Sequence, residues 1–363
     1  MRNQVAPDKA VGAGNKDAFL RKRERHRVSC LPLCVAHVNP CRIENDFGGC
    51  REPDPMTLTI LTPSFRQLPW LRLCIASVQD QLGSGDDPTL DVEHVIQDGG
   101  SPDIETFARE VGAEFHRDGQ CVLPAPSTNP PRVRLVIHAE PDSGMYDAIN
   151  RGLAKSSGEI CAWLNCDEQY LPGTLARVAE LFRRDPKMDV LLGDAILTNS
   201  HHRPLSYRRI MVPSRWHTRL DHLHSLSCAM FFRRSALPSP PLDPQWKVIG
   251  DAVLMDHFLS SGKRVVACKQ PLAAYAFTGS NLSANPSHGE HERWLAMDGG
   301  LPEWARLARF GVVGMHRLRR LWHGAYGAFE VDSGLYTADS GQVRKRMAAR
   351  LRGRWPGKGA GVS

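Results

Sequence analysis

No stretch of the chain approaches the ~18 consecutive apolar residues that a bilayer-spanning helix requires, so no transmembrane helix is expected. The front, MRNQVAPDKAVGAGNKDAFLRKRERHR, carries charge with no apolar core after it and does not read as a secretory signal. Cys30, Cys34, Cys41 and Cys50 show no paired CxxC spacing, which removes the usual zinc pattern. Cys74, Cys161, Cys228 and Cys268 fall inside apolar helix or strand patterns, where a reduced thiol behaves as a small hydrophobe. Together these absences point to a reducing cytoplasm. No internal repeat is present, which sets solenoids and propellers aside.

What remains is ordinary globular material. Hydrophobic residues make up 42% and charged residues 23% of a 363-residue chain, enough for two domains or one large α/β domain with appendages. The net charge of +7 is unevenly spread. Residues 1–55 carry ten basic and seven acidic groups, and residues 301–363 carry twelve and four. Against totals of 46 and 39, that leaves 24 basic and 28 acidic groups in residues 56–300. A slightly acidic centre does not suit a nucleic-acid surface, so no nucleic-acid partner is expected.

Three regions follow. Residues 1–55 have no helical or strand periodicity and read as a disordered arm or a mis-annotated extension, with translation starting at Met56. Residues 56–290 alternate strand and helix, which implies crossover connections and a mainly parallel sheet. Strands are expected near 58–61, 91–96, 133–138, 160–164, 190–193, 207–212, 226–233 and 264–267. Helices are expected near 68–82, 105–111, 143–154, 174–184 and 250–260, with residues 118–132 a loop. Residues 291–363 read as a basic helical extension with a frayed tail from residue 343. There Trp304, Leu307, Ala308, Met315, Leu318 and Trp322 share one helical face, with Arg306, Arg309, Arg317, Arg319 and Arg320 around it. Such a helix lies in the interface of an anionic membrane, or packs on its own domain with its arginines in solvent.

Each strand of the parallel set ends in polar residues. The first gives Thr62-Pro63-Ser64, the second Asp98-Gly99-Gly100, the third Glu140-Pro141-Asp142-Ser143-Gly144, and the fourth Asn165-Cys166-Asp167-Glu168. Any one is an ordinary turn, since Asp and Gly are common turn residues. In a parallel sheet all four fall on the same edge, where open α/β sheets place their chemistry. Adjacent acids such as Asp167 and Glu168 repel unless a cation sits between them or both face water.

These segments, TILTPSFRQLPWLRLCIASVQDQ, HVIQDGG, EPDSGMYDAINRGLAKSSGEI and WLNCDEQYLPGTL, resemble the family 2 glycosyltransferases of GT-A fold, in unbroken order over roughly residues 56–270. The resemblance implies a nucleotide-diphosphate-sugar donor, a Mn²⁺ or Mg²⁺ cofactor and inversion at the anomeric carbon. By it, Thr62, Pro63 and Ser64 pass beside the nucleotide base, and Asp98 accepts a hydrogen bond from that base. Asp142 precedes the donor-pocket helix. Asp167 matches the metal acid of the DXD-like motif, Glu168 follows it as a second ligand, and Asn165 stands at the first acidic position of the motif. Asp251, in the segment KVIGD, matches the general base, with Gly250 replacing the usual acid before it. Its bland reading is a first-turn helix acid.

Among other candidates, His217, His222 and His224 cluster beside Asp221; zinc and merely structural histidine are both open readings. The resemblance places a histidine near the acceptor in the segment before LSCAMFFRR, which makes His224 the acceptor-binding candidate. The acceptor class it implies is a saccharide or lipid-linked saccharide, in cell-surface polysaccharide or lipopolysaccharide assembly, on the inner face of the membrane. A sugar nucleotidyltransferase would carry a Gly-rich phosphate loop after the first strand, where this chain has TPSFRQLPW. A non-enzymatic scaffold with membrane- or nucleic-acid-binding ends is the remaining alternative.

Overall fold

The computed structural model describes residues 54–83, 87–125, 132–279, 281, 288–297, 303–340 and 343–356. By its contacts the chain divides into two units, Met1–Gly49 and Cys50–Ser363. The first unit, and with it the readings of residues 1–53, lies outside the described residues.

β1 (Met56–Ser64) is the central strand, with Leu58, Ile60 and Leu61 fully buried. α1 (Leu68–Gln79) follows and buries Leu71, Ile75 and Val78, the spacing of an amphipathic helix. β2 (Leu90–Asp98), α2 (Ile104–Glu110), β3 (Glu114–Arg117), β4 (Gln120–Leu123), β5 (Val133–Ala139) and α3 (Met145–Ala154) come next. They are followed by β6 (Ile160–Trp163), β7 (Glu168–Tyr170), α4 (Thr174–Arg184), β8 (Val190–Asn199), β9 (Pro204–Arg208) and α5 (Arg215–Leu220). β10 (Met230–Arg233), α6 (Gly250–Ser260), β11 (Val265–Phe277), α7 (His288–Met297), α8 (Glu303–Trp322), β12 (Ala328–Leu335) and β13 (Lys345–Arg352) complete the described elements.

Among the described residues one sheet runs β4-β3-β5-β2-β1-β6-β10-β8-β11-β7, with β9 on β8. β1, β2, β5 and β6 are parallel neighbours, and their register sets Ser64 opposite Asp98 and Asp98 opposite Ala139. The four polar strand ends therefore do share one edge. β10 is inserted antiparallel between β6 and β8, so the sheet is mixed beyond its parallel centre. The fold class is the expected α/β one.

Three expectations change. The loop of residues 118–132 begins instead with the hairpin β3–β4, turned by Asp118 and Gly119 at φ 48° and 81°. An Asp-Gly pair with both residues at positive φ is the favoured two-residue hairpin turn, so that signal was present and passed over. β8 and β11 run far past Gly193 and Ala267, because a bulge near Cys268–Ala273 carries the pairing on to Asn199 and Phe277. Gly193 is required there, since a Cβ on it would stand 2.4 Å from Leu272 Cδ1.

The third change concerns the tail expected to fray from residue 343: Lys345–Arg352 form β13, paired antiparallel with β12, and residues 357–363 lie outside the described residues. Val331, Leu335 and Leu351 of this hairpin join Leu171, Ile196, Tyr207 and Ala274 in a single apolar cluster. The Phe329 ring stacks on Tyr207 at 4.1 Å. Gln169 donates to Tyr336 O (2.8 Å) and accepts from Tyr336 N–H (2.9 Å), a buried reciprocal pair. A tail held this way is part of the domain. The apolar face of α8, by contrast, is turned outward: Leu307, Phe310 and Leu318 are 79%, 85% and 63% exposed, while His316 on the other side is buried.

Candidate active site

A cleft of about 580 Å³ opens at the polar edge of the parallel strands. Its walls come from the ends of β1 (Pro63, Ser64), β2 (Gly99) and β6 (Asn165, Asp167), from the start of α3, and from the segment entering α6. Gly99 is needed because β2 and β5 converge here; a Cβ would stand 2.8 Å from Asp142 Oδ2. Asp142 caps the turn into α3, accepting the Gly144 N–H at 2.9 Å. Burial, ahead of any other influence, pushes its carboxyl above the usual range.

Asp167 lies half-buried on the cleft wall, where Asn281 Nδ2 donates to its Oδ2 at 3.0 Å. Burial pushes its carboxyl up. Asn165 stands beside it, and its Oδ1 is buried with no hydrogen-bond partner. An orphaned amide oxygen and a desolvated carboxylate on one wall form an all-oxygen donor pair, and oxygen donors suit Mn²⁺ or Mg²⁺. These residues fit a hard divalent metal.

Glu168 does not join them. Its side chain is fully buried in β7 behind the cleft, with Oε2 accepting the Asn165 N–H at 2.7 Å. Its carboxyl is pushed up by burial first and by Asp167 second. The physical reason is strand alternation: neighbouring side chains at a strand start point to opposite faces, so only one of the two acids reaches the cleft. The expected second metal acid is a buried one that braces the turn.

Two further assignments move inward. Asp98 is fully buried and saturated: it accepts from Ser64 Oγ (2.8 Å), Gly100 N–H (3.0 Å), Ser101 N–H (2.6 Å) and Ser101 Oγ (2.7 Å). It locks the β2 turn and is absent from the cleft wall, so no lone pair is directed at a base. Thr62 is buried as well, with its hydroxyl 2.9 Å from His94 Nε2. Pro63 and Ser64 alone of that triplet line the cleft.

Asp251 lies on the cleft wall at the first turn of α6. It accepts the Ala252 N–H at 2.8 Å, and burial raises its carboxyl to about 6. A carboxylate poised near neutrality at a cleft is suited to taking a proton. His224 is elsewhere: it is buried, its Nε2 lies 3.3 Å from Arg209 O, and it does not line the cleft. Ser227 of the same segment does. His224 is therefore off the cleft that holds Asp167 and Asp251.

Other cleft residues escaped the sequence reading. Lys247 reaches across to donate to Ser143 O at 2.8 Å, bringing positive charge over the start of α3. Its place beside KVIGD was a usable signal. Tyr146, Asn281 and Trp355 also line the cleft; Trp355 follows β13, and no local pattern points to it.

The α/β sheet thus gathers acids, two amides and a lysine in one cleft at the ends of its parallel strands. Residues 59–238 match Glycosyl transferase family 2, the family whose motifs the sequence resembles. A PGL/p-HBAD biosynthesis glycosyltransferase of Mycobacterium bovis is 32% identical over 146 residues, 40% of this chain and 49% of the relative. An uncharacterized glycosyltransferase of Nostoc sp. is 23% identical over 248 residues, 65% of this chain and 70% of that one. The chain spans about half the length of the mycobacterial relatives it matches. Among solved structures, S. aureus TarS 1–349 in complex with UDP-GlcNAc is similar at 14% identity and TM-score 0.48, over 67% of this chain and 66% of that one.

Proposed function

We propose that the protein transfers a sugar from a nucleotide-diphosphate sugar, a UDP-sugar first among them, to a hydroxyl of a saccharide or lipid-linked saccharide, with inversion. The observation that carries this is the shared cleft: Asp167 with Asn165 on one wall and Asp251 on another, all at the edge of the parallel strands. Asp251 takes the proton of the acceptor hydroxyl as that oxygen bonds to the anomeric carbon. The bond from that carbon to the diphosphate oxygen breaks on the opposite face, and the nucleoside diphosphate leaves with the electron pair. Burial of Asp251 keeps its basicity high enough for this task. Asp167 and Asn165 would hold the Mn²⁺ or Mg²⁺, which when bound supplies positive charge facing the leaving diphosphate. Lys247 adds a fixed positive charge from the segment entering α6, over the start of α3, and Asp142 and Ser64 shape the floor on the donor side.

The acceptor proposal extends to where the enzyme works. No helix of the described residues is long and apolar enough to cross a membrane. α8 nevertheless exposes Trp304, Leu307, Phe310, Met315, Leu318, Leu321 and Trp322, each 60% exposed or more. At 100° per residue these fall within one broad arc, flanked by Arg317 and Arg319. An apolar face with a basic rim supports peripheral docking on an anionic, cytoplasmic membrane surface, close to lipid-linked acceptors. A name that refers to PGL/p-HBAD biosynthesis in a relative supports a place in assembling glycans on carriers.

The test of the central reading is a thermal-shift panel of UDP-, GDP- and dTDP-sugars with and without Mn²⁺. One donor should raise Tm only when metal is present. No metal-dependent shift with any donor would sink the proposal.

A further inference from the structure

A second group of ligating side chains lies outside the cleft, where α5 meets α8. His217 Nε2 and His222 Nδ1 approach the same oxygen, Asp221 Oδ2, at 3.5 and 2.7 Å. One donor atom from each of the three residues lies within 4.8 Å of the other two. Arg309 of α8 donates to the other oxygen, Oδ1, at 3.3 Å, which holds the carboxylate in place. The ring of His316, also from α8, stacks on His217 with centroids 3.5 Å apart, and the His224 ring lies 5.0 Å from His316. Both ring nitrogens of His316 and Nδ1 of His224 are buried without a hydrogen-bond partner.

Four imidazoles and one carboxylate in such a group call for an explanation beyond packing. A buried polar nitrogen with no partner is costly, and structural histidines ordinarily satisfy at least one. Protonation is not the remedy, because the positive charges of Arg208 and Arg320 lie close by. Neutral imidazole is the form that binds metal, so no proton need be displaced at neutral pH. Two imidazoles and a carboxylate, with a position left open because His222 is exposed, form the donor set of Zn²⁺ and similar borderline cations. The Arg309 contact to the second carboxylate oxygen is the outer-shell support such sites use.

We propose that His217, Asp221 and His222 form a Zn²⁺-binding site at the C-terminal end of α5, with His316 of α8 stacked against it. The chemistry differs from that of the Asp167 wall, which offers only oxygen. Arg208 and Arg320 oppose a cation here and Asp221 alone offsets them, so affinity should fall short of a thiolate site. A metal at this point would stiffen the end of α5, against which α8 packs through Arg309 and His316.

The full chain, stripped with chelator, should be titrated with Zn²⁺ alone by calorimetry and then with Co²⁺ by visible absorption. Wild type and Asp167→Ala should each bind one equivalent at this site, and Co²⁺ should give a spectrum of nitrogen and oxygen ligands. His222→Ala and Asp221→Asn, both at solvent-accessible positions, should weaken that equivalent at least about tenfold with circular dichroism unchanged. Zinc should also raise Tm in wild type but not in His222→Ala. Failure of folded wild type to take up Zn²⁺ would overturn the proposal. So would a thiolate charge-transfer band, or unchanged affinity in His222→Ala.

Discussion

The ring of Tyr146 rests on Gly250 so closely that a Cβ there would stand 2.6 Å from Tyr146 Cε2. Tyr146 Oη donates to Val248 O at 3.1 Å and accepts the Asp251 N–H at 3.4 Å, so the ring props the first turn of α6 and with it Asp251. The missing acid before Asp251 is thereby explained: the tyrosine occupies its space. Gly250→Ala should cost about 1–3 kcal/mol in thermal or denaturant unfolding, because a buried, doubly hydrogen-bonded ring cannot retreat. Turnover should fall more than donor affinity, since Asp251 moves with the helix start. Unchanged stability would mean that the contact relaxes freely.

Asp251→Asn should lower kcat by about 10²- to 10⁴-fold, the usual worth of a general base. Metal-dependent donor binding should persist in the variant, read by calorimetry. If donor binding were lost instead, Asp251 would belong to the donor pocket and not to proton transfer.

The pH dependence follows from the same residue. Its carboxyl is raised by burial to about 6, and a base works only when deprotonated. Activity should therefore hold through neutral pH and decline as pH falls through about 6, with an acid limb of one proton. A limb near the ordinary carboxylate range would show that Asp251 is solvated in the working enzyme.

Asp167→Ala should abolish the Mn²⁺-dependent part of donor binding, and Asn281→Ala should weaken it by a smaller factor, because Asn281 only orients the carboxylate. Equal metal dependence in Asp167→Ala and wild type, measured by Mn²⁺ titration, would remove the acid from the metal's side.

Glu168 makes a separable prediction. Its folded-state carboxyl is raised above its unfolded value, so its contribution to stability is greatest at low pH and is lost as pH rises through neutrality. Glu168→Gln keeps an acceptor for the Asn165 N–H and removes the buried charge. Its Tm should exceed that of wild type by on the order of a few degrees at alkaline pH and match it near pH 5. A lower Tm at alkaline pH would indicate that the charge is compensated.

For the α8 face, Phe310→Glu together with Leu318→Glu should weaken binding to anionic vesicles, read by sedimentation, by at least about a hundredfold, since burying each side chain contributes about 1.5–3 kcal/mol. Binding to neutral vesicles should be weaker than to anionic ones and less salt-sensitive. Wild-type protein that ignores anionic vesicles would assign that face to another partner.

The alternation of strand and helix from Met56 onward and the shared edge of the strand ends were legible along the chain, because each depends on periodicity or on a run of neighbouring residues. Asp251, by contrast, was singled out by the resemblance of its segment to a family motif. The Asp118-Gly119 hairpin was equally legible, by its turn chemistry. Direction was not. Asp98 and Asp167 both end buried strands, yet one turns inward to four donors and the other outward to the cleft. That choice depends on which hydroxyls and amides converge from other strands, here Ser64 and Ser101. Nor could local pattern bring Trp355 or Asn281 to the cleft, or turn the apolar face of α8 outward. Those placements are decided by long-range packing: the β12–β13 hairpin seats on Tyr207 and Leu171, and α8 lays His316 against His217.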